Sequence, residues 1–414
     1  MTTDVTLSGA RVRTGDSAAP PLPDSPAPVH LLFLVADTGG GHRASAEAVA
    51  RRLAVAHPGQ FATHVLDPFT QAAPRVVGRV VGLYSPITRY TPWLWGAMYH
   101  ATNSRAAVAA LRGSALRLVE PGLREVIAAL RPVMVVSFHP LLNHVAWRAL
   151  RSLPEPRIPL ATVITDLVDV HASWTCAEVD AVVTSSPGGL DRARRAGVPA
   201  ERCHDLGLPV DDAFVSPAPA GVARRSLRAR LGLDAERFTV LLSGGGEGTG
   251  GLPRRALALL DGVEGVDVVV ICGRNARAAA ALEALREASP YYAARLRVLG
   301  FVDNMPEWMR ACDLLVTKAG PGAIAEALCS RVPLLLTSHL PGQERGNVDF
   351  VVDTGAGRYA PRLADMVDAV RELSRPGSAS LAAMREALRH AARPQATAQI
   401  ADLIVRLAGA GVAA

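Results

Sequence analysis

Three glycines and a histidine, Gly39, Gly40, Gly41 and His42, follow an apolar run from His30 to Ala36 and lead into a helix-forming stretch. Strand, glycine turn and helix start make an anion site, because unpaired N–H groups and the positive end of the helix dipole converge there. The spacing Gly39-x-Gly41-x-x-Ala44 also satisfies a dinucleotide fingerprint, and Asp67 closes the next strand-like run where a ribose-binding acid would stand. His42 occupies the place where a diphosphate needs room. The residues alone therefore leave the ligand of this loop open.

The second half of the chain carries sharper nucleotide signals. "LLSGGGEGTGG" (241–251) is another strand-to-glycine loop, in which Ser243, Thr249 and the amides of Gly244, Gly245 and Gly246, beside Glu247, suit a diphosphate. It has no G-K-[ST], which argues against a P-loop ATPase. "GFVDNMPEWM" (300–309) is a strand-to-helix turn whose backbone can meet a base edge, with Phe301 as an apolar wall and Val302 and Met305 beside it. In "TKAGPGAIAEAL" (317–328), Lys318 precedes a tight turn through Gly320, Pro321 and Gly322. A helix follows from Ala323, and Glu326 is placed to accept both hydroxyls of a ribose. "LPGQERGNVDFV" (340–351) supplies Gln343, Glu344 and Asn347, an amide and carboxylate set for sugar hydroxyls. Three successive strand ends thus offer base-, ribose- and sugar-type groups.

These loops need rigid elements behind them, and the hydrophobic pattern supplies two sets. Short runs rich in Val, Ile and Leu predict strands at 29–36, 61–67, 132–138, 159–166 and 179–185, with helices at 42–56, 104–130 and 140–152. A second series predicts strands at 238–243, 266–272, 296–301, 313–317 and 333–337. Its helices are 252–263, 275–288, 322–331 and 343–353, followed by 362–374 and 379–408. The expected architecture is α/β, with two Rossmann-like, doubly wound domains facing a cleft, an arrangement that binds ligands at its strand ends. The Pro-rich stretch 1–28 reads as a disordered tail, 29–206 as the first domain, 207–221 as a linker, 222–385 as the second domain, and 386–414 as terminal helices that cross back to the first.

The 414-residue chain carries a formal net charge of +6, and Lys318 is its single lysine. That balance suits anionic partners without choosing among them. Five scattered cysteines without a C-x-x-C argue against a zinc site or a disulfide framework, and no H-E-x-x-H is present, so no metal is expected. The N-terminal stretch has no apolar core of a signal peptide, and no run of eighteen apolar residues spans a membrane.

"DTGGGHRASAEAV", "VSFHPLLNHV", "TDLVDVHASW", "GGGEG", "GFVDNM", "TKAGPGAIAEAL" and "PGQERGNV" occur in this order between about residues 31 and 352. Together they resemble the monogalactosyldiacylglycerol synthase family, which stands with the processive diacylglycerol glucosyltransferases and the peptidoglycan-precursor N-acetylglucosaminyltransferase. The resemblance implies a GT-B fold of the family 28 type and an inverting hexosyltransferase. Galactose or glucose would pass from a UDP-sugar to the hydroxyl of diacylglycerol, with no metal and no nucleic-acid partner. It implies that the second domain holds the donor and the first the acceptor. The first glycine loop then faces acceptor, and His42 becomes the base, kept neutral by the positive helix end. His139, Asp166, His171 and Trp174 fall on the acceptor side, with Asp166 orienting His42 or binding acceptor and Trp174 stacking on sugar or glycerol. The sequence reads His-Ala-Ser-Trp at 171–174 where the family usually has His-Pro-x-Trp. Competing readings are transfer to another lipid-linked acceptor such as a polyprenyl intermediate, an NAD(P)-dependent oxidoreductase using the first loop and Asp67, and a non-catalytic UDP-sugar or lipid-binding module.

Tyr84, Tyr90, Trp93, Trp95 and Tyr99 crowd sixteen positions of a chain that is 5% aromatic, and arginines interleave with the surrounding residues 74–117. Trp and Tyr favour the headgroup level and Arg favours anionic lipid. The stretch is expected to dock the protein peripherally on the cytoplasmic face of a membrane, the competing reading being a buried helical insertion.

Overall fold

The computed structural model describes residues 5–7, 10–14, 27–38, 40–154, 157–215 and 220–412. The chain divides into two units. The first comprises residues 1–212, 341–343 and 395–414; the second comprises 213–340 and 344–394.

Six parallel strands form the body of an eight-stranded sheet in the first unit, in the order Phe61–Leu66, Val29–Leu34, Met134–Ser137, Leu160–Val163, Ala181–Thr184 and Cys203–Asp205. Strand 29–34 shows why it pairs on both sides. Leu31 and Phe33 pack on one face of the sheet and Leu32 and Leu34 on the other, all fully buried, as a period of two requires of a central strand. Each such side chain contributes roughly 1.5–3 kcal/mol. One face is covered by Ala46, Val49 and Leu53 of helix Gly41–Ala56 together with Ile400, Leu403 and Ile404 of the terminal helix Ala396–Val412. The other is covered by Leu123 and Ile127 of helix Glu120–Leu130 and by Val145 and Ala149 of helix Leu142–Arg151.

In the second unit the order is Leu296–Leu299, Val266–Ile271, Phe238–Ser243, Leu314–Lys318, Leu334–Ser338 and Gly357–Tyr359, all parallel. In chain order this is 3-2-1-4-5-6, the Rossmann order, and its switch point lies between 238–243 and 314–318. In the first unit the switch point lies between 29–34 and 134–137. The two glycine loops, at 39–41 and 244–251, and the His139 loop therefore leave the sheets where doubly wound folds bind ligands.

All ten expected strands are present. Two three-residue edge strands, 203–205 and 357–359, are too short to show a period. The expected helix 104–130 is broken into Arg105–Gly113, a turn of 3₁₀ helix at Ala115–Leu118 and Glu120–Leu130, because Ser114 leaves helical geometry and Pro121 suits only a first turn. The expected helix 379–408 is likewise two, Ala379–Ala391 and Ala396–Val412, divided at Pro394. Part of the segment read as disordered is also corrected. Val5–Leu7 and Ala10–Thr14 pair antiparallel, and the second adds to strand 61–66 at the sheet edge. The alternation in "VTLSGARVRT" carries this pairing, masked by the Pro-rich composition downstream. The rest of residues 1–26 lies outside the described residues.

Candidate active site

His42 is the second residue of helix Gly41–Ala56, entered through Gly40 at φ 82°, a left-handed conformation that glycine takes without strain. Gly41 opens that helix, and Gly39 lies outside the described residues. The loop is latched from within. Asp37 receives Nε and Nη2 of Arg43 at 2.6 and 2.9 Å, and the Asp37 N–H donates to Asp67 Oδ2 at 3.1 Å. Asp67 is 1% exposed and also caps Phe69 N. It is spent on the loop itself, which removes the ribose-binding acid that a dinucleotide reading requires.

The His42 ring lies 5.0 Å from that of His139 and 5.9 Å from that of Trp174, and its Nδ1 is 2.7 Å from Thr165 Oγ1. Burial, offset in part by the Phe138 carbonyl, pulls its pKa from 6.5 to about 4. Loss of solvent is the largest cause, and the positive helix end acts in the same direction. His139 is buried and held well below the usual histidine range by desolvation and then by His42. Its Nδ1 accepts the Leu141 N–H at 3.4 Å.

Trp174 is fully buried, so its ring cannot stack on a ligand. Its Nε1 donates to Asp166 Oδ2 at 2.6 Å, while Gln343 Nε2 donates to Asp166 Oδ1 at 3.0 Å. The Nδ1 partner of His42 is thus Thr165, one residue before Asp166. His171 is a clamp rather than a surface ligand group. Nδ1 meets Ser173 Oγ at 2.8 Å, Nε2 meets Tyr99 O and Thr102 Oγ1 at 3.3 Å each, and burial lowers its pKa to about 4.

The aromatic stretch folds into helices Arg75–Gly82, Tyr84–Tyr90 and Pro92–Thr102, and it splits in two. Tyr90 and Trp93 stand out in solvent, joined by Val76, Val80 and Leu83 at helical spacing and by Met98. Tyr84 and Trp95 pack edge to face at 4.8 Å. Tyr99 is buried and donates its hydroxyl to Asp169 O at 3.0 Å, so it faces the protein and not a membrane. Beside it lies a cavity of about 620 Å³ lined in part by Arg105, Arg192 and Arg195. These guanidiniums bond to neutral oxygens. Arg192 meets Val170 O and Asn103 Oδ1 at 2.6 Å, Arg105 meets Arg195 O, and Arg195 meets Asp191 O. Three arginines thus share the cavity wall with one carboxylate, that of Asp169.

In the second unit, the loop after strand 238–243 is built from close backbone approaches. A Cβ on Gly248, at φ 57°, would lie 1.9 Å from Cys272 O. Gly244, Gly245 and Gly246 form the turn, with Gly245 N donating to Ser243 Oγ and Gly246 O accepting from Arg274 N. Ser243 is therefore a brace of the loop. Glu247 pairs with Arg274 at 3.1 Å, and the Arg274 guanidinium lies 5.2 Å from the Phe301 ring centre. Phe301 is 63% exposed and so available for stacking, while Val302 and Met305 are half-buried behind it. Arg274 was not singled out by the sequence. Its only signal is its place three residues after strand 266–271.

Gly320 caps helix Pro321–Cys329, and with proline first the free amides are those of Gly322 and Ala323. Glu326 is half-buried one turn on. Lys318 Nζ meets Glu344 Oε1 at 2.8 Å, and Glu344 Oε2 accepts Leu340 N at 2.8 Å. Glu344 is 4% exposed. It presents the lysine rather than its own carboxylate. Asn347, also buried, donates to Ala319 O and so shapes the Gly-Pro-Gly turn. Among the described residues there is no group of three or more His, Cys, Asp or Glu that could hold a metal ion, and no helix long and apolar enough to cross a membrane.

Comparison with known proteins gives the family and the fold. The family profile described as monogalactosyldiacylglycerol (MGDG) synthase matches residues 42–210, and that of the glycosyltransferase family 28 C-terminal domain matches 239–406. Monogalactosyldiacylglycerol synthase 1, chloroplastic, of Arabidopsis thaliana is 33% identical over 381 residues, covering 90% of this chain and 70% of that protein. The probable chloroplastic synthase of Glycine max is 35% identical over 385 residues, with the same coverage. Among solved structures, MurG of Acinetobacter baumannii superposes with a TM-score of 0.59 at 19% identity, over 92% of this chain and all of that one, which supports the GT-B fold. S. aureus MnaA in complex with UDP superposes with 0.57 at 11% identity, over 90% and 94%. The chain is a GT-B glycosyltransferase of the monogalactosyldiacylglycerol synthase family.

Proposed function

We propose that the protein transfers a hexose, with galactose favoured by the names of its relatives, from a UDP-sugar to the free hydroxyl of diacylglycerol. The observation that carries this reading is His42, a half-buried neutral imidazole at the switch point of the first unit. Its Nε2 takes the acceptor proton as the acceptor oxygen bonds to C1 of the sugar and the C1–O bond to the diphosphate breaks, inverting C1. The electron pair leaves with UDP. In the second unit, the amides of the 244–251 loop and of Gly322 and Ala323, with the ammonium of Lys318, would stabilise that charge. The Phe301 and Arg274 shelf would hold the base and Glu326 the ribose, while Gln343 would be the group nearest the sugar and Glu344 would act through Lys318. Metal assistance is not needed for a leaving group held in this way.

The row Val76, Val80 and Leu83, with Tyr90, Trp93 and Met98, would enter the headgroup region of the cytoplasmic face. The arginine cavity behind Tyr99 would receive an anionic headgroup. The deciding experiment offers the pure protein diacylglycerol vesicles with UDP-galactose, UDP-glucose or UDP-N-acetylglucosamine in separate reactions and reads lipids by mass spectrometry. Hexosyl-diacylglycerol from UDP-galactose is expected. No glycosylated diacylglycerol from any donor, with UDP still binding, would reject the acceptor assignment.

A further inference from the structure

We infer that Thr165 is the positioning residue for proton transfer, its hydroxyl holding the His42 ring in the tautomer and orientation that leave Nε2 free to take the acceptor proton. The inference rests on His42 as the base. Thr165 is 4% exposed, directly after the strand Leu160–Val163 and Ile164, and its Oγ1 lies 2.7 Å from Nδ1. The ring has little freedom besides this bond, because His139 and Trp174 flank it. Trp174 is itself locked through its indole N–H to Asp166. Two consecutive residues therefore fix the histidine, Thr165 by direct contact and Asp166 by way of the indole.

A hydroxyl differs in kind from the carboxylate that commonly orients a catalytic histidine. It accepts the Nδ1–H of the neutral imidazole, and the same bond survives when Nε2 is protonated, so nothing rearranges as the proton moves. It adds no negative charge. The groups facing the ring are His139, Trp174, Thr165 and the uncharged Phe138 carbonyl, and the neighbouring carboxylate of Asp166 is bonded to Trp174 and Gln343. Consistent with this, burial lowers the His42 pKa to about 4 without an opposing anion. The base is then in its active form throughout the neutral range, at the cost of basicity.

The test uses the full chain with Thr165→Val, Thr165→Ser, Thr165→Asp and His42→Ala, assayed on diacylglycerol vesicles with UDP-galactose. Thr165→Val should lower kcat roughly 10- to 100-fold with KM for both substrates within about twofold, and Thr165→Ser should recover most of it. Thr165→Asp should move the acid limb of kcat/KM upward from about pH 4. A Thr165→Val enzyme with unchanged kcat, or a loss that serine does not recover, overturns the inference. Nitrogen-15 shifts of His42 separate this from failure of the base reading. An unchanged tautomer in Thr165→Val overturns the positioning role whatever His42 does, and full turnover in His42→Ala overturns the base reading and the inference with it.

Discussion

In the first unit the groups at the strand ends are side chains, buried or half-buried and bonded to one another: His42 to Thr165, Trp174 to Asp166, His171 to Ser173 and Tyr99. In the second they are mostly backbone, held open by glycines, with Arg274, Glu247 and Phe301 at the rim. The difference fits the division of work proposed above. A proton is moved by one atom whose position and pKa must be set, which takes a packed surround. A diphosphate and a nucleoside are held by many weak donors and a stacking face, which takes a loop without side chains in the way.

If the division of labour holds, single substitutions on the two sides should fail differently. His42→Ala should reduce kcat by roughly 10²- to 10⁴-fold and leave the dissociation constant of UDP unchanged by calorimetry. Gly248→Val, by driving a side chain into the Cys272 carbonyl, should weaken UDP roughly tenfold or more while the first unit keeps its tryptophan fluorescence. Equal loss of UDP affinity in both would erase the distinction.

Acid should separate the units next. His42, His64, His144 and His171 all belong to the first unit, and desolvation by burial takes each pKa to about 4. Between pH 6.5 and 4 the unfolded chain binds protons that the folded unit refuses. Stability fully present above pH 6.5 is therefore lost as pH falls and levels off below about 4, by up to about 3 kcal/mol per histidine. Urea midpoints followed by tryptophan fluorescence report chiefly this unit, which holds Trp93, Trp95, Trp147 and Trp174. A flat midpoint across that window contradicts the assignment. The smallest effect is at the rim. Arg274→Ala should raise the donor KM roughly 3- to 10-fold with kcat unchanged, since one cation–π support of Phe301 and the pair with Glu247 are lost.

What was legible in the sequence follows the same contrast. Glycine loops announce themselves because no other residue fits their backbone, and parallel strands because burial on both faces makes them uniformly apolar. That located His42, the 244–251 loop and the Gly320–Gly322 turn. Thr165 was not legible: its partner is 123 residues away, and a threonine after a strand is ordinary. The facing of aromatics was not legible either. Composition marked residues 84–99, but only packing distinguishes exposed Trp93 from buried Tyr99 and Trp174. Asp67 and Glu344 look like ligand acids in one dimension, and in three they are tied to the protein's own amides or lysine.

The terminal helix has a consequence for biosynthesis. Residues 396–412 belong to the first unit, where Ile400 and Ile404 complete one face of its sheet, so the second unit is an insertion within the first. During translation, residues 213–340 and 344–394, which make up the whole second unit, are available before the first unit's last helix exists. The domain that begins first is therefore finished last. Until that helix is made, the sheet face that carries Leu31, Phe33 and Val136 lacks part of its cover and is a chaperone substrate, and loss of residues 396–412 would expose the core of a domain whose central strand lies at residues 29–34.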